Sequence, residues 1–214
     1  MNVDWLMREW DMILDLFLRH LWLSVAPVAI GLGLALPIGW AVQRSGRWKG
    51  PILNLVGLLF TIPSLALFVL LPWFLGTQIL DPLNVIVALT IYVLALLVRT
   101  VADGLDAVPR ETLQAANAMG FRPLRRLLTI ELPLAIPVIA GGLRVALVSN
   151  ISIVSVAALV GTRQLGSLFT QGLQLQFLTP IIIGIVLSLL LAATLDALVL
   201  VLSRRMTPWE RRNA

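Results

Sequence analysis

Two ionisable residues, Arg144 and Asp196, lie deep in otherwise apolar stretches of this 214-residue sequence. Each sits roughly 10–15 Å in from the end of its stretch at about 1.5 Å rise per helical residue. Burying either charge alone is costly, so the two are expected to pair; a cation-binding role for Asp196 is the alternative. The run "GGLRVALVSNISIVS" adds Ser149, Asn150, Ser152 and Ser155. In an apolar helix such groups line a polar path, or they bond to neighbouring helices. Bond-making chemistry has no comparable support. The lone histidine, His20, has no cysteine and no carboxylate cluster with which to build a metal site, and reads as an interfacial residue. There is no G-x-x-x-x-G-K-[ST] phosphate loop and no G-x-S-x-G elbow. An enzyme is therefore not expected. Transport, channel activity or a structural membrane subunit remain.

The elements that position these groups are apolar helices. The chain is 59% hydrophobic and 13% charged, against about 25% charged in a soluble domain. Five stretches approach the ~20 residues needed to cross hydrocarbon: Leu21–Val42, Leu53–Leu75, Val85–Leu105, Leu134–Val160 and Pro180–Leu202. Pro37, Pro63 and Pro72 lie inside them, as lipid-embedded helices tolerate. Arg144 and Asn150 mark a place where the fourth span would kink or break. Before the first span, "MNVDWLMREWDMILD" is not a cleavable leader; Trp5, Trp10, Met12, Ile13 and Leu16 suit a short amphipathic helix at the membrane surface. Most tryptophans fall near span ends, as an interfacial belt does.

Basic residues set the orientation. Of 16, 12 fall in the connection after span one, the connection between spans three and four, and the tail. With five spans these share one side. The positive-inside rule then places the amino terminus outside and the carboxyl terminus in the cytoplasm. The net charge of +5 is topological, and nucleic acid is not an expected partner. The expectation is an all-α integral membrane protein, one transmembrane domain over 1–214. Its parts are an interfacial segment 1–20, spans one to three over 21–105, a cytoplasmic loop 106–133, spans four and five over 134–205, and a tail 206–214.

The loop is more organised than a linker. "ETLQAANAMG" predicts a short helix with Pro109 near its start, Glu111 in the first turn and Gly120 as a left-handed stop. Phe121 supplies an apolar contact after the stop. Pro123 starts a second helix and Pro133 closes it before span four. Leu124, Leu127, Leu128 and Ile130 are expected to hold this knob against the bundle. The alanine face, with Met119, is left toward the cytosol. A well-capped helical hairpin and a docking element for a cytosolic partner are both consistent with this.

Here the residues resemble a family. Permease subunits of binding-protein-dependent ABC importers carry the signature E-A-A-x-x-x-G-x9-I-x-L-P. This chain reads Gln114-Ala115-Ala116, three residues to Gly120, nine to Ile130, then Glu131-Leu132-Pro133. Gln114 replaces the usual glutamate, and Glu111, one turn earlier, is placed to supply the charge. "TIPSLALFVLLPWFLG", "HLWLSVAPVAIGLGLALPIGWAVQR", "LPLAIPVIAGGLRVA" and "SVAALVGTRQLG" are similar to the osmoprotectant group, which imports glycine betaine, choline, carnitine and related quaternary amines. Methionine-importer permeases share the signature and stand second; a stand-alone channel or secondary carrier is the reading of another class.

The resemblance implies a type I importer permease in a bacterial or archaeal cytoplasmic membrane. It implies a second permease copy or related chain, two ATPase subunits that bind ATP and magnesium, and an extracytoplasmic binding protein. No cofactor is expected on this chain. The residues implied in ATPase coupling are Glu111, Gln114, Ala115, Ala116, Met119, Gly120, Phe121, Ile130, Leu132 and Pro133. Ser149, Asn150, Ser152 and Ser155 are expected along the translocation path.

Overall fold

Prolines and small residues, more than polar turns, decide where the helices of this chain begin and bend. A computed structural model describes residues 3–209, and every regular element among them is helical. Arg211 and Arg212 of the basic tail lie outside the described residues. A short helix α1 (Val3–Arg8) leads into α2 (Trp10–Arg44), which runs 35 residues through Pro27 and Pro37. The expected surface segment 1–20 is therefore divided. From Trp10 onward it is the first turns of the spanning helix, because Ile13 and Leu16 are buried against Leu165, Leu168 and Ile183.

The second apolar stretch is not one helix, contrary to expectation. Helices α3 (Lys49–Leu59) and α4 (Ser64–Leu75) meet at 92°. Pro63 has no N–H to donate and its ring disfavours helical backbone at Ile62, which favours a break here, although α2 continues through Pro27 and Pro37. The exposed backbone is satisfied locally. Thr61 Oγ1 donates to the Leu58 carbonyl at 2.7 Å, and Tyr92 Oη donates to the Ile62 carbonyl. Phe60 meets the Tyr92 ring edge-on at 5.6 Å. Residues 60–63 of the bend are exposed on this chain, so these bonds rather than burial satisfy it.

Helix α5 (Pro82–Asp106) is capped by Asp81, whose carboxylate accepts from the Leu83 N–H at 2.9 Å, with Pro82 in the first turn. It is the centre of the bundle. Over half of its apolar window (56%) is buried, against 6% in the last helix. On α2, Gly31, Ala35 and Gly39 recur every four residues, the small-residue stripe that lets membrane helices approach closely. A Cβ at Gly31 would stand 2.5 Å from Val93 Cγ1 on α5.

The chain then forms α6 (Arg110–Ala118) and α7 (Pro123–Arg126). A π-turn over Leu127–Glu131 follows and leads without a break into α8 (Leu132–Val156). Helix α8 passes Arg144 and Asn150 without breaking and tightens to a 3₁₀ turn at Ala157–Val160. A short α9 (Gly166–Gln174) precedes α10 (Leu178–Met206). Four helical stretches are each long and apolar enough to cross a bilayer; α3 and α4 meet the same test only as a bent pair.

Candidate coupling surface and membrane-embedded polar groups

Helix α6 is built by its ends. Pro109, at φ −58° and ψ 133°, starts it, and Glu111 stands in the first turn, where the helix dipole favours an acidic group. At the other end Gly120 takes φ +77°. The Phe121 N–H reaches back to the Ala116 carbonyl at 3.1 Å, and the Gly120 N–H to Asn117 at 3.0 Å. These are the two bonds of a Schellman stop. The alanine face is split: Ala116 is buried, whereas Ala115 and Ala118 are exposed together with Glu111, Gln114 and Met119. The small, uncharged side chains of Ala115 and Ala118 beside Met119 leave room for close approach by another protein surface, with Glu111 the charged residue at its edge.

The knob is not held as expected. Of the four apolar residues assigned to clamp it, Leu127 is buried and Ile130 half-buried, while Leu124 and Leu128 are exposed. Nor does Pro133 close a separate helix. The π-turn widens the backbone ahead of it, so the chain passes through Leu132 and Pro133 directly into α8. Instead a polar contact joins the parts. Arg126 Nε donates to Glu131 Oε1 at 2.6 Å, and Arg126 Nη1 donates to Asn117 Oδ1. The Glu131 side chain is 3% exposed. From sequence, Glu131 falls in the signature and Arg126 among the loop's basic residues, but neither is paired there and Asn117 has no assigned role. The available signal was a glutamate in an apolar run, but its arginine stands five residues away, which is not an α-helical neighbour spacing.

Between α8 and α10, Arg144 Nε and Nη2 donate to the two carboxylate oxygens of the half-buried Asp196 at 2.7 and 2.8 Å. This fork joins α8 to α10 and leaves neither charge unpaired in an apolar layer. The polar residues of α8 part company. Asn150 is buried and donates to the Ser24 carbonyl of α2 at 2.6 Å. Ser155 is half-buried over the Ile151 carbonyl, Ser149 is half-buried, and Ser152 is exposed. Asn150 thus ties helices together, whereas Ser152 faces away from the chain's own core.

His20 is not interfacial in its surroundings: it is fully buried. Its Nδ1 lies 3.0 Å from Gln164 Oε1. Gln164 Nε2 donates to the Val154 carbonyl at 2.9 Å and to Ser155 at 3.3 Å. These carbonyls belong to the last turn of α8, where a helix runs out of internal donors. With its amide nitrogen so committed, the Gln164 oxygen accepts, and His20 carries its proton on Nδ1. The partners are 144 residues apart, so no local pattern reveals them. A groove of about 460 Å³ between α2, α8 and α10 is lined by Leu32, Leu36, Leu143, Val199 and Leu202, and offers a polar solute little to bind.

Comparison with known proteins supplies the context. Residues 28–208 match the family described as the binding-protein-dependent transport system inner membrane component. The osmoprotectant import permease protein OsmW of Salmonella typhimurium is 32% identical over 210 residues, covering 97% of each chain. The glycine betaine/carnitine/choline transport system permease protein OpuCB of Bacillus subtilis is 30% identical over 190 residues, 89% of this chain and 86% of that one. Among solved structures, an inward-facing MetNI methionine ABC transporter aligns with a TM-score of 0.84 at 21% identity, covering 94% of this chain and 98% of that one. An amino acid ABC transporter with histidines gives 0.78 at 18%, covering 96% and 99%. At these identities the structural likeness is one of fold. Matched over most of its length in sequence and in fold, the chain belongs to the inner membrane components of binding-protein-dependent transport systems, with the helical permease fold of ABC importers.

Proposed function

We propose that this chain is the membrane-spanning permease of an ATP-driven importer for a quaternary-amine osmoprotectant of the glycine betaine, choline or carnitine type. An extracytoplasmic binding protein delivers the solute, and ATP and magnesium bind a partner ATPase. The observation that carries the reading is α6: a short, rigidly stopped helix that leaves Gln114, Ala115, Ala118 and Met119 exposed beside Gly120. This face is the proposed seat on the ATPase, with Ile130, Leu132 and Pro133 at its base and Phe121 packed at the turn. The concentration of arginines in the same loop supports a cytoplasmic position for it, with the amino terminus outside. Closure of the ATPases would move α6 and switch the spans between inward-open and outward-open.

The solute path lies between two permease copies in this reading. Helix α10, with 6% of its apolar window buried, and the exposed Ser152 leave surface for such a partner. The substrate class is supported by the similarity to OsmW and OpuCB along nearly the whole chain. Purification in mild detergent followed by reconstitution tests both parts. An ATPase and a second permease copy should accompany the chain, and labelled glycine betaine should enter vesicles when ATP and the binding protein are supplied. Purification without an ATPase would overturn the coupling role. Uptake of methionine but not of glycine betaine, choline or carnitine would overturn the substrate class.

A further inference from the structure

The contact among Asn117, Arg126 and Glu131 spans the non-helical stretch between α6 and α7. Between the end of α6 and the start of α7, residues 119–122 leave the helical path: the Met119, Gly120 and Phe121 N–H groups bond back to α6, and the Arg122 carbonyl accepts from Arg126 of α7. Ala116 is the one fully buried residue of α6, with Thr112 and Leu113 half-buried, so packing holds the helix along one short face. The Arg126 guanidinium bridges the gap. One edge donates to Asn117 on α6, and Nε donates to the buried Glu131 at the base of α8.

The π-turn makes that bridge geometrically available. In an α-helix, residues five apart are rotated by about 140° and face different sides. Over Leu127–Glu131 the turn closes instead with the Leu132 N–H on the Leu127 carbonyl, five residues back. This brings residue i+5 over residue i, so Glu131 stands above Arg126. The same widening accommodates Pro133, whose ring would press on the carbonyl four residues earlier in a regular helix.

We propose that Arg126 is a positioning residue. Through Asn117 and Glu131 it locks the coupling helix to span four across the Gly120 elbow, so that displacement of α6 moves α8 instead of bending the elbow. This rests on the ATPase-docking reading of α6, and the two can fail separately.

Hydrogen exchange on the full chain in lipid nanodiscs reads the lock whether or not an ATPase docks. In Asn117→Ala, the amides of Met119 and Phe121, which bond back to Ala115 and Ala116, should exchange about tenfold faster, while α8 is unchanged. Arg126→Lys, which lacks the fork needed to hold both partners, should do the same. Asn117→Asp, which keeps an acceptor, should retain wild-type exchange. In the reconstituted transporter, Asn117→Ala should keep the amount of co-purified ATPase and its basal rate. Stimulation of that rate by binding protein with glycine betaine should fall about 3- to 10-fold, and Asn117→Asp should restore it. Wild-type exchange in both Asn117→Ala and Arg126→Lys would overturn the lock. So would an Asn117→Asp protein as impaired as Asn117→Ala. Absence of the ATPase from the wild-type preparation would count against docking, and exchange would still decide the lock.

Discussion

At Gly120 and at Gly161 the backbone leaves a helix by the same pair of hydrogen bonds. Phe121 and Gly120 reach back to Ala116 and Asn117; Thr162 and Gly161 reach back to Ala157 and Ala158, all at 3.0–3.1 Å. Both glycines are left-handed, at φ +77° and +86°. Their surroundings differ. A Cβ at Gly120 would meet nothing within 4 Å, whereas one at Gly161 would stand 2.6 Å from Leu80 Cδ2. One turn presents a helix outward with space around it. The other is pressed against the loop before α5. Identical local chemistry therefore leaves open space in one place and a neighbouring side chain, the exposed Leu80, in the other.

Valine at each site separates the two most strongly. Gly161→Val adds contact with the tip of the exposed Leu80 to the left-handed strain and should cost up to about 1 kcal/mol more than Gly120→Val, which carries the strain alone, about 1–2 kcal/mol. Thermal unfolding in detergent followed by tryptophan fluorescence measures both; equal losses would remove the contrast. Transport should rank the other way. Per folded complex, Gly120→Val should lose at least about tenfold, because the seat of α6 is re-aimed, and Gly161→Val should lose only in proportion to folded protein.

A smaller effect tests the cause. Leu80→Ala should recover about 1 kcal/mol of the stability lost in Gly161→Ala and nothing of that lost in Gly120→Ala, read as a double-mutant cycle. Gly120→Asn is gentler again, since asparagine accepts the left-handed region; uptake should stay within about threefold of wild type. The smallest change is Gln114→Glu. On an exposed face it should shift stability by less than about 0.5 kcal/mol, so any change in ATPase co-purification isolates the effect of charge on that face from the shape of the turn.

Legibility followed the range of the interactions. The stop at Gly120 was readable because a left-handed turn needs glycine whatever surrounds it. The Arg144–Asp196 pair, 52 residues apart, was readable because each is a charge that apolar surroundings compel to find a partner. The break at Phe60–Pro63 was harder. Pro27 and Pro37 sit inside one unbroken helix, and what distinguishes Pro63 includes Tyr92, whose hydroxyl donates to the carbonyl that the break exposes, that of Ile62 thirty residues away. The π-turn escaped because its spacing runs against the α-helical period by which the loop was read. His20 escaped because its partner, Gln164, is reached only after the chain has crossed the bundle.

By itself the sequence determined the membrane class, the number of apolar stretches, the segregation of basic charge and the small rigid helix in the central loop. Each of these follows from composition, length or a backbone constraint acting within a few residues. Tertiary structure alone decided which carbonyls a bend could leave open, which of the polar residues on α8 bond within the chain, and which of two identical turns has a side chain standing against it. Those outcomes depend on what stands opposite a group in space. Opposition is set by the crossing of α2, α5, α8 and α10, not by neighbours along the chain.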